Sequence, residues 1–293
     1  MPATILHDNG RTRAFVDSRR LVPNLGPVYC RVLKKEVLAD RRLRGHAVKP
    51  RTLDVVLCST RPSKQYTERG LDALGIDGYV VLGRNLSEWK HVHKIQLVLD
   101  YVIRHPGPEL LLHLDATDVL VVGELQTATD VFQNEFSCDL LFGAEKGSAP
   151  GSNTTAGITT VEKSFIERIE EFERDTYRAP ACHLNAGCFI GRKEAIRELF
   201  TKVLKDRESW PISSELSNGN LLADDDQLIL RELHRTHHPR VQIDHQNAVF
   251  QNLFAIKRSE LAVDRRVVHG PTFFVELLKH LAFLIGNRVR RSQ

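Results

Sequence analysis

The chain has 293 residues, 42% of them apolar, and no run approaches the roughly 18 consecutive apolar residues of a membrane span. The net charge of +4 is unevenly spread: residues 1–50 carry 11 Lys and Arg against 4 Asp and Glu, which makes that segment +7 and leaves −3 for the rest. Only Phe15 and Tyr29 lie among those charges, so a single-strand nucleic-acid platform is not expected, and the basic segment reads as a solvated face or an oligomer contact such as a homodimer's.

The length suits one large α/β domain over 51–293 behind a basic N-terminal extension, 1–50. Residues 1–30 lack the apolar segment of a secretory signal. The cysteines (Cys30, Cys58, Cys138, Cys182, Cys188) form no CxxC pair, which argues against zinc and fits buried, reduced thiols in a cytoplasmic protein.

Residues 31–44 read as one basic helix ended by Gly45. The apolar run 53–58 predicts the first strong strand, leading into the polar turn Ser59-Thr60-Arg61-Pro62. After a short helix, a strand is expected over 78–82, then a helix over 88–103 capped by Ser87. A strand through 110–114, a helix near 127–136 and a strand at 139–142 follow. Residues 146–158, rich in Gly, Ser and Thr, make a loop long enough to be a functional lid. Helices over 161–175 and 193–205 flank the strand 183–191, which is entered through Asn185-Ala186-Gly187, where small residues let a ligand approach the backbone. Beyond the polar loop 209–223, Asp224-Asp225-Asp226-Gln227 opens a helix to about residue 234. Capping employs one Asp, or two. Three in a row repel one another, which implies another task for at least one. A short strand at 241–245, a last strand at 265–268, a helix over 273–285 and a basic tail at 288–291 complete the reading. Strands alternating with helices predict a mostly parallel sheet covered on both faces, a Rossmann-like α/β fold. No GxGxxG follows the first strand and no GxxxxGK[ST] occurs, which argues against a dinucleotide dehydrogenase and a P-loop NTPase.

The chemistry concentrates in residues 109–123. An apolar run, 110–114, broken only by His113, leads into Asp115 and Asp118, and a second apolar run follows at 119–122. Ligands of open α/β sheets bind beyond the carboxyl ends of such strands. Two carboxylates there, with no Lys or Arg between them, call for a cation, and a hard divalent ion held by one or two carboxylates usually also contacts phosphates. Turn and capping roles remain open for such a pair. His269, at a predicted strand end before Gly270-Pro271, sits on a rigid turn that suits a metal ligand.

Seven segments in order, VVLCST (55–60), HLDATDVLVVG (113–123), LLFGAE (140–145), HLNAGCFIG (183–191), DDDQL (224–228), IDHQNAVFQNL (243–253) and VVHGP (267–271), resemble the glycosyltransferase domain of the procollagen lysyl hydroxylases and the related procollagen galactosyltransferases. The resemblance covers roughly residues 52–272 and implies a GT-A-type nucleotide-sugar-binding fold. It also implies manganese, with magnesium as an alternative, held by Asp115, Asp118 and His269; imidazole plus carboxylate suits that ion. Thr60 would lie beside the uridine and Thr117 beside the ribose or base. Lys94 and Gly270 would lie near the nucleotide. Asp225 and Asp226 would line the acceptor and sugar cavity, and Asn185 and Glu145 would contact sugar or acceptor. The implied activity is transfer of a hexose, glucose or galactose, from a UDP-sugar to an acceptor hydroxyl on a protein, glycan or small molecule. The sequence departs from the family at His269-Gly270-Pro271, two residues shorter than the family's HGNGP, and a lysine that helps hold the diphosphate is replaced near Thr272-Phe273. That shortening admits an alternative, a nucleotide-sugar-binding module of the same fold. A metal-dependent phosphohydrolase with Asp115 as nucleophile fits less well, since that class needs Asp-x-Asp.

Overall fold

The computed structural model describes residues 5–7, 49–117, 119–121, 124–153, 155–215 and 221–252. The predicted elements at 31–44, 265–268, 273–285 and 288–291 lie outside the described residues, as do Asp118, His269 and Gly270.

Strands β2 (Leu53–Cys58), β3 (Val80–Leu82), β4 (Leu110–Asp115), β6 (Leu140–Glu145), β7 (His183–Arg192) and β8 (Val241–Asp244) form a six-stranded sheet in the order β3-β2-β4-β7-β6-β8. All of them are mutually parallel except β7, which pairs antiparallel with both β4 and β6. The fold is therefore α/β with a mostly parallel, mixed sheet. β2, β6 and the first five residues of β4 are buried throughout, which is why they read as largely apolar runs rather than alternating ones.

Helix α4 (Thr160–Tyr177) does not carry the chain back to the amino edge of the sheet. Its apolar residues Phe165, Ile166 and Ile169 form a separate cluster with Ile212, Leu222 and Leu228 instead. The chain re-enters where it left, with His183 opposite Glu145.

One face of the sheet is covered by α1 (Tyr66–Ala73) and α3 (Leu125–Glu135), with Leu71, Leu125, Val131 and Phe132 in its core. The other is covered by α2 (Val92–Arg104), α5 (Lys193–Asp206) and α6 (Asp226–His237). In α2 the buried Val92, Ile95, Val98 and Val102 recur at helical spacing. Each fully buried side chain of this kind contributes about 1.5–3 kcal/mol relative to exposure. Helix α2 starts a turn later than the Ser87 cap predicts. The His93 imidazole accepts the Lys90 N–H at 3.1 Å, a local bond that competes with helix at 88–91 and leaves His91 as the N-cap.

A smaller sheet holds β5 (Val119–Val121), β1 (Ile5–His7) and β9 (Phe250–Asn252) in the order β5-β1-β9. Ile5–His7, part of the basic extension, thus forms its central strand, antiparallel to β5 and parallel to β9. No described helix is long and apolar enough to cross a membrane. The four described cysteines, Cys58, Cys138, Cys182 and Cys188, are buried free thiols.

Candidate functional site

The site lies where β2, β4 and β6 end and β7 begins. Residue pairing places Cys58 beside Asp115 and Gly143 beside Asn185. The turn after β4 is clamped from α1. The Thr67 hydroxyl donates to Asp115 O at 2.6 Å and accepts the Val119 N–H at 3.2 Å, and the Thr67 N–H donates to Ala116 O at 3.0 Å. Thr117 lies half-buried in that turn. Thr60, also half-buried, lies in the loop after β2, which Arg84 braces by donating to Arg61 O at 2.8 Å and Pro62 O at 2.9 Å.

Lys94 is the hub. Its Nζ lies 2.9 Å from Asp115 Oδ1 and 2.5 Å from Asp226 Oδ2, and donates to Ala186 O at 3.3 Å. The sequence shows no cation between Asp115 and Asp118, but the fold supplies one to Asp115 from α2. The Ala186 carbonyl is available because the β6–β7 register slips between Phe142 and Gly143, so that Ala186–Cys188 bulge away from β6. Burial would push Lys94 down, but Asp115 and Asp226 hold it well above its ordinary value, so it stays charged. Burial raises Asp226, and Asp225 and Asp115 add to this against the pull of Lys94. Burial pushes the Cys58 thiol up to about 12, which keeps it neutral despite Lys94 nearby.

The three consecutive aspartates have three different partners. Asp224 pairs with Arg207 at 2.5 Å. Asp225 is the N-cap of α6, its Oδ1 accepting the Leu228 N–H at 2.9 Å. Asp226 meets Lys94. Helix α6 therefore begins at Asp226, after a 3-10 turn over Leu222–Asp224, rather than at the first Asp.

Two contributors escaped the sequence reading. His91 Nδ1 lies 3.5 Å from Asp225 Oδ2 and 3.9 Å from Asp226 Oδ1, and the nearby Asp225 carboxylate raises its pKa. His91, Asp225 and Asp226 each bring a ligand atom within 4.8 Å of the others, close enough for a shared cation. The signal was present, since His91 precedes Lys94 by three residues and so shares its helix face. Gln227, next to Asp226, donates to Glu145 Oε1 and to Ala149 O, both at 2.6 Å, and accepts the Ala186 N–H at 3.3 Å. Glu145 also accepts from Asn185 Nδ2 at 3.1 Å and Asn252 Nδ2 at 3.4 Å. Glu145 and Asn185 are each only 2% exposed, so this carboxylate aims the amides around it.

The expected lid is anchored on two sides. Glu170 of α4 accepts from the Ser148 hydroxyl at 2.6 Å, the Ser152 hydroxyl at 2.7 Å and the Ser152 N–H at 3.1 Å. From α6, Gln227 holds Ala149 O, and Arg231 donates to Pro150 O at 2.9 Å. Of the expected metal ligands Asp115, Asp118 and His269, only Asp115 is among the described residues. Its side chain is 27% exposed, and its hard carboxylate oxygens are of the type a divalent cation takes.

Searches against protein-family models and against curated proteins return no match for this chain.

Proposed function

We propose that this chain is a metal-dependent, GT-A-type glycosyltransferase that moves a hexose from a UDP-sugar to an acceptor hydroxyl. One observation carries the reading. Asp115, at the carboxyl end of a central strand, is drawn through Lys94 to Asp226 at the head of α6, beside the bulge of β7. This is the crevice in which open α/β sheets bind nucleotides.

In this reading UDP lies over the ends of β2 and β4, between the loops that carry Thr60 and Thr117. Asp115, Asp118 and His269 would hold a manganese or magnesium ion, which when bound acts as a Lewis acid on the leaving diphosphate. Lys94 supplies a second positive charge to the same region, nearly buried. Asp225 and Asp226 face the acceptor side, where His91 and Asp225 together form a pair able to orient a hydroxyl and take up its proton. Asn185 and Gln227, aimed by Glu145, orient the sugar.

The test is thermal shift with UDP plus Mn²⁺, Mg²⁺ or EDTA, followed by UDP release from UDP-glucose and UDP-galactose. The reading expects a metal-dependent shift with UDP, by mass action on the folded state. It also expects UDP release that Asp115→Ala abolishes. No shift with any metal, together with no UDP release, would sink it.

A further inference from the structure

An ammonium group has three hydrogens to donate. Around Lys94 stand three acceptors, as many as it has hydrogens: Asp115 Oδ1 and Asp226 Oδ2 as ion pairs and Ala186 O as a hydrogen bond. Any further anion that Lys94 meets must displace one of these. The partners are not equal. The contact to Asp226 is the shorter, 2.5 against 2.9 Å, and the Asp226 side chain is 12% exposed against 27% for Asp115. The bond that gives way is therefore the one to Asp115, on the side that faces solvent. Asp115 is also the described carboxylate that the glycosyltransferase reading assigns to the cation.

We propose that Lys94 is an exchange residue: its ammonium holds Asp115 until a cation and a diphosphate arrive, then passes from the carboxylate to the diphosphate while the cation takes Asp115. The cation then binds with the nucleotide rather than ahead of it. This inference rests on the glycosyltransferase reading of the same site. The exchange conserves charge pairing at each stage. Asp115 trades an ammonium for a metal ion, and Lys94 trades a carboxylate for a diphosphate oxygen while keeping Asp226 and Ala186 O. Without the exchange, metal at Asp115 leaves Lys94 with one carboxylate and a repelling neighbour, and diphosphate at Lys94 leaves Asp115 without its ammonium.

The measurement is Mn²⁺ affinity, from the electron paramagnetic resonance of free Mn²⁺, with and without UDP. It is made on the full chain and on Lys94→Met, with Lys94→Gln as a second neutral variant if the first does not fold. A fixed charge adds to or subtracts from the affinity for each ligand separately and leaves the coupling between them unchanged. A charge that changes partners contributes to the coupling itself. The expected result is that UDP tightens Mn²⁺ binding at least about ten-fold more in the wild type than in the variants. The variants also bind Mn²⁺ alone more tightly than the wild type. Equal UDP-to-Mn²⁺ coupling in wild type and variant overturns the exchange and leaves the glycosyltransferase reading standing. Absence of Mn²⁺ and UDP binding in the wild type overturns both.

Discussion

Arg231 and Glu173 form an ion pair in which both side chains are fully buried. The guanidinium donates to the carboxylate at 2.7, 3.1 and 3.2 Å. The pair joins α6 to α4, and the same carboxylate accepts the Leu184 N–H at 3.1 Å and meets His183 Nδ1 at 2.7 Å. One carboxylate therefore ties both helices to the start of β7, next to Asn185. Removing one partner leaves the other charge buried and uncompensated. Arg231→Met is expected to cost about 3–5 kcal/mol in chemical denaturation, and Glu173→Leu added to it is expected to restore much of the loss. A cost below about 1 kcal/mol for Arg231→Met would mean that the pair is structurally idle.

The pH dependence of stability follows from two histidines shifted in opposite directions. Burial would lower His183, but hydrogen bonds to Cys182 and Glu173 raise it from 6.5 to about 9. Its contribution is fully present below pH 6.5 and is lost as pH rises through 9. Burial lowers His234 from 6.5 to about 3, its Nε2 held against the Tyr177 hydroxyl at 2.7 Å. There the unfolded chain takes up the proton first, so stability falls as pH drops below 6.5 toward 3. Glu173 adds to the acid limb. Burial would raise it, yet Arg231 and His183 hold it down at about 2, so its contribution is present above pH 4.5 and lost toward 2. Urea midpoints across pH are thus expected to peak near 6.5. His183→Gln should flatten the alkaline limb and leave the acid limb in place. An unchanged alkaline limb would show that His183 does not set it.

The amide cluster on Glu145 predicts a separation of binding from turnover. In Glu145→Gln one carboxylate oxygen becomes an N–H₂ that faces either the Nδ2 of Asn185 or the Nε2 of Gln227, so one donor meets a donor and that amide turns, while the other keeps a neutral acceptor in place of a charged one. Losing hydrogen bonds to a charged group costs about 1.5–3 kcal/mol, and UDP release is expected to fall roughly 10- to 100-fold. The UDP thermal shift should stay near that of the wild type. Equal losses in both would mean that the cluster supports the nucleotide rather than the reacting sugar.

Glu170 decides whether residues 146–158 are held down. Glu170→Ala removes the acceptor for Ser148 and for both donors of Ser152. Limited proteolysis is expected to nick the variant within 146–158 several-fold faster than the wild type, because exposed loops released from their bonds are preferred cleavage sites. Cleavage at the wild-type rate would mean that Gln227 and Arg231 suffice as anchors.

Much of the architecture is local chemistry, and local chemistry is legible in a sequence. The apolar runs 53–58 and 110–114 became buried β2 and β4 because a strand buried on both faces needs no alternation. The helix expected over 161–175 begins within a residue of α4, whose start Thr159 and Glu162 fix with a capping box. The repulsion within Asp224-Asp225-Asp226 implied another task for at least one of them, and in the fold each has its own partner. What the linear order does not contain is which distant charges meet. Lys94 reaches Asp115 and Asp226 only because α2 and α6 pack on the same face of the sheet and β7 bulges beside them. His91 joins Asp225 for the same reason. The antiparallel direction of β7 and the anchoring of 146–158 by two helices that follow it in sequence also emerge only in the fold. Hydrophobic periodicity acts over a few residues and is written in the sequence. Charge pairing and strand direction are settled only when the chain closes on itself, because their energies depend on distances that packing sets.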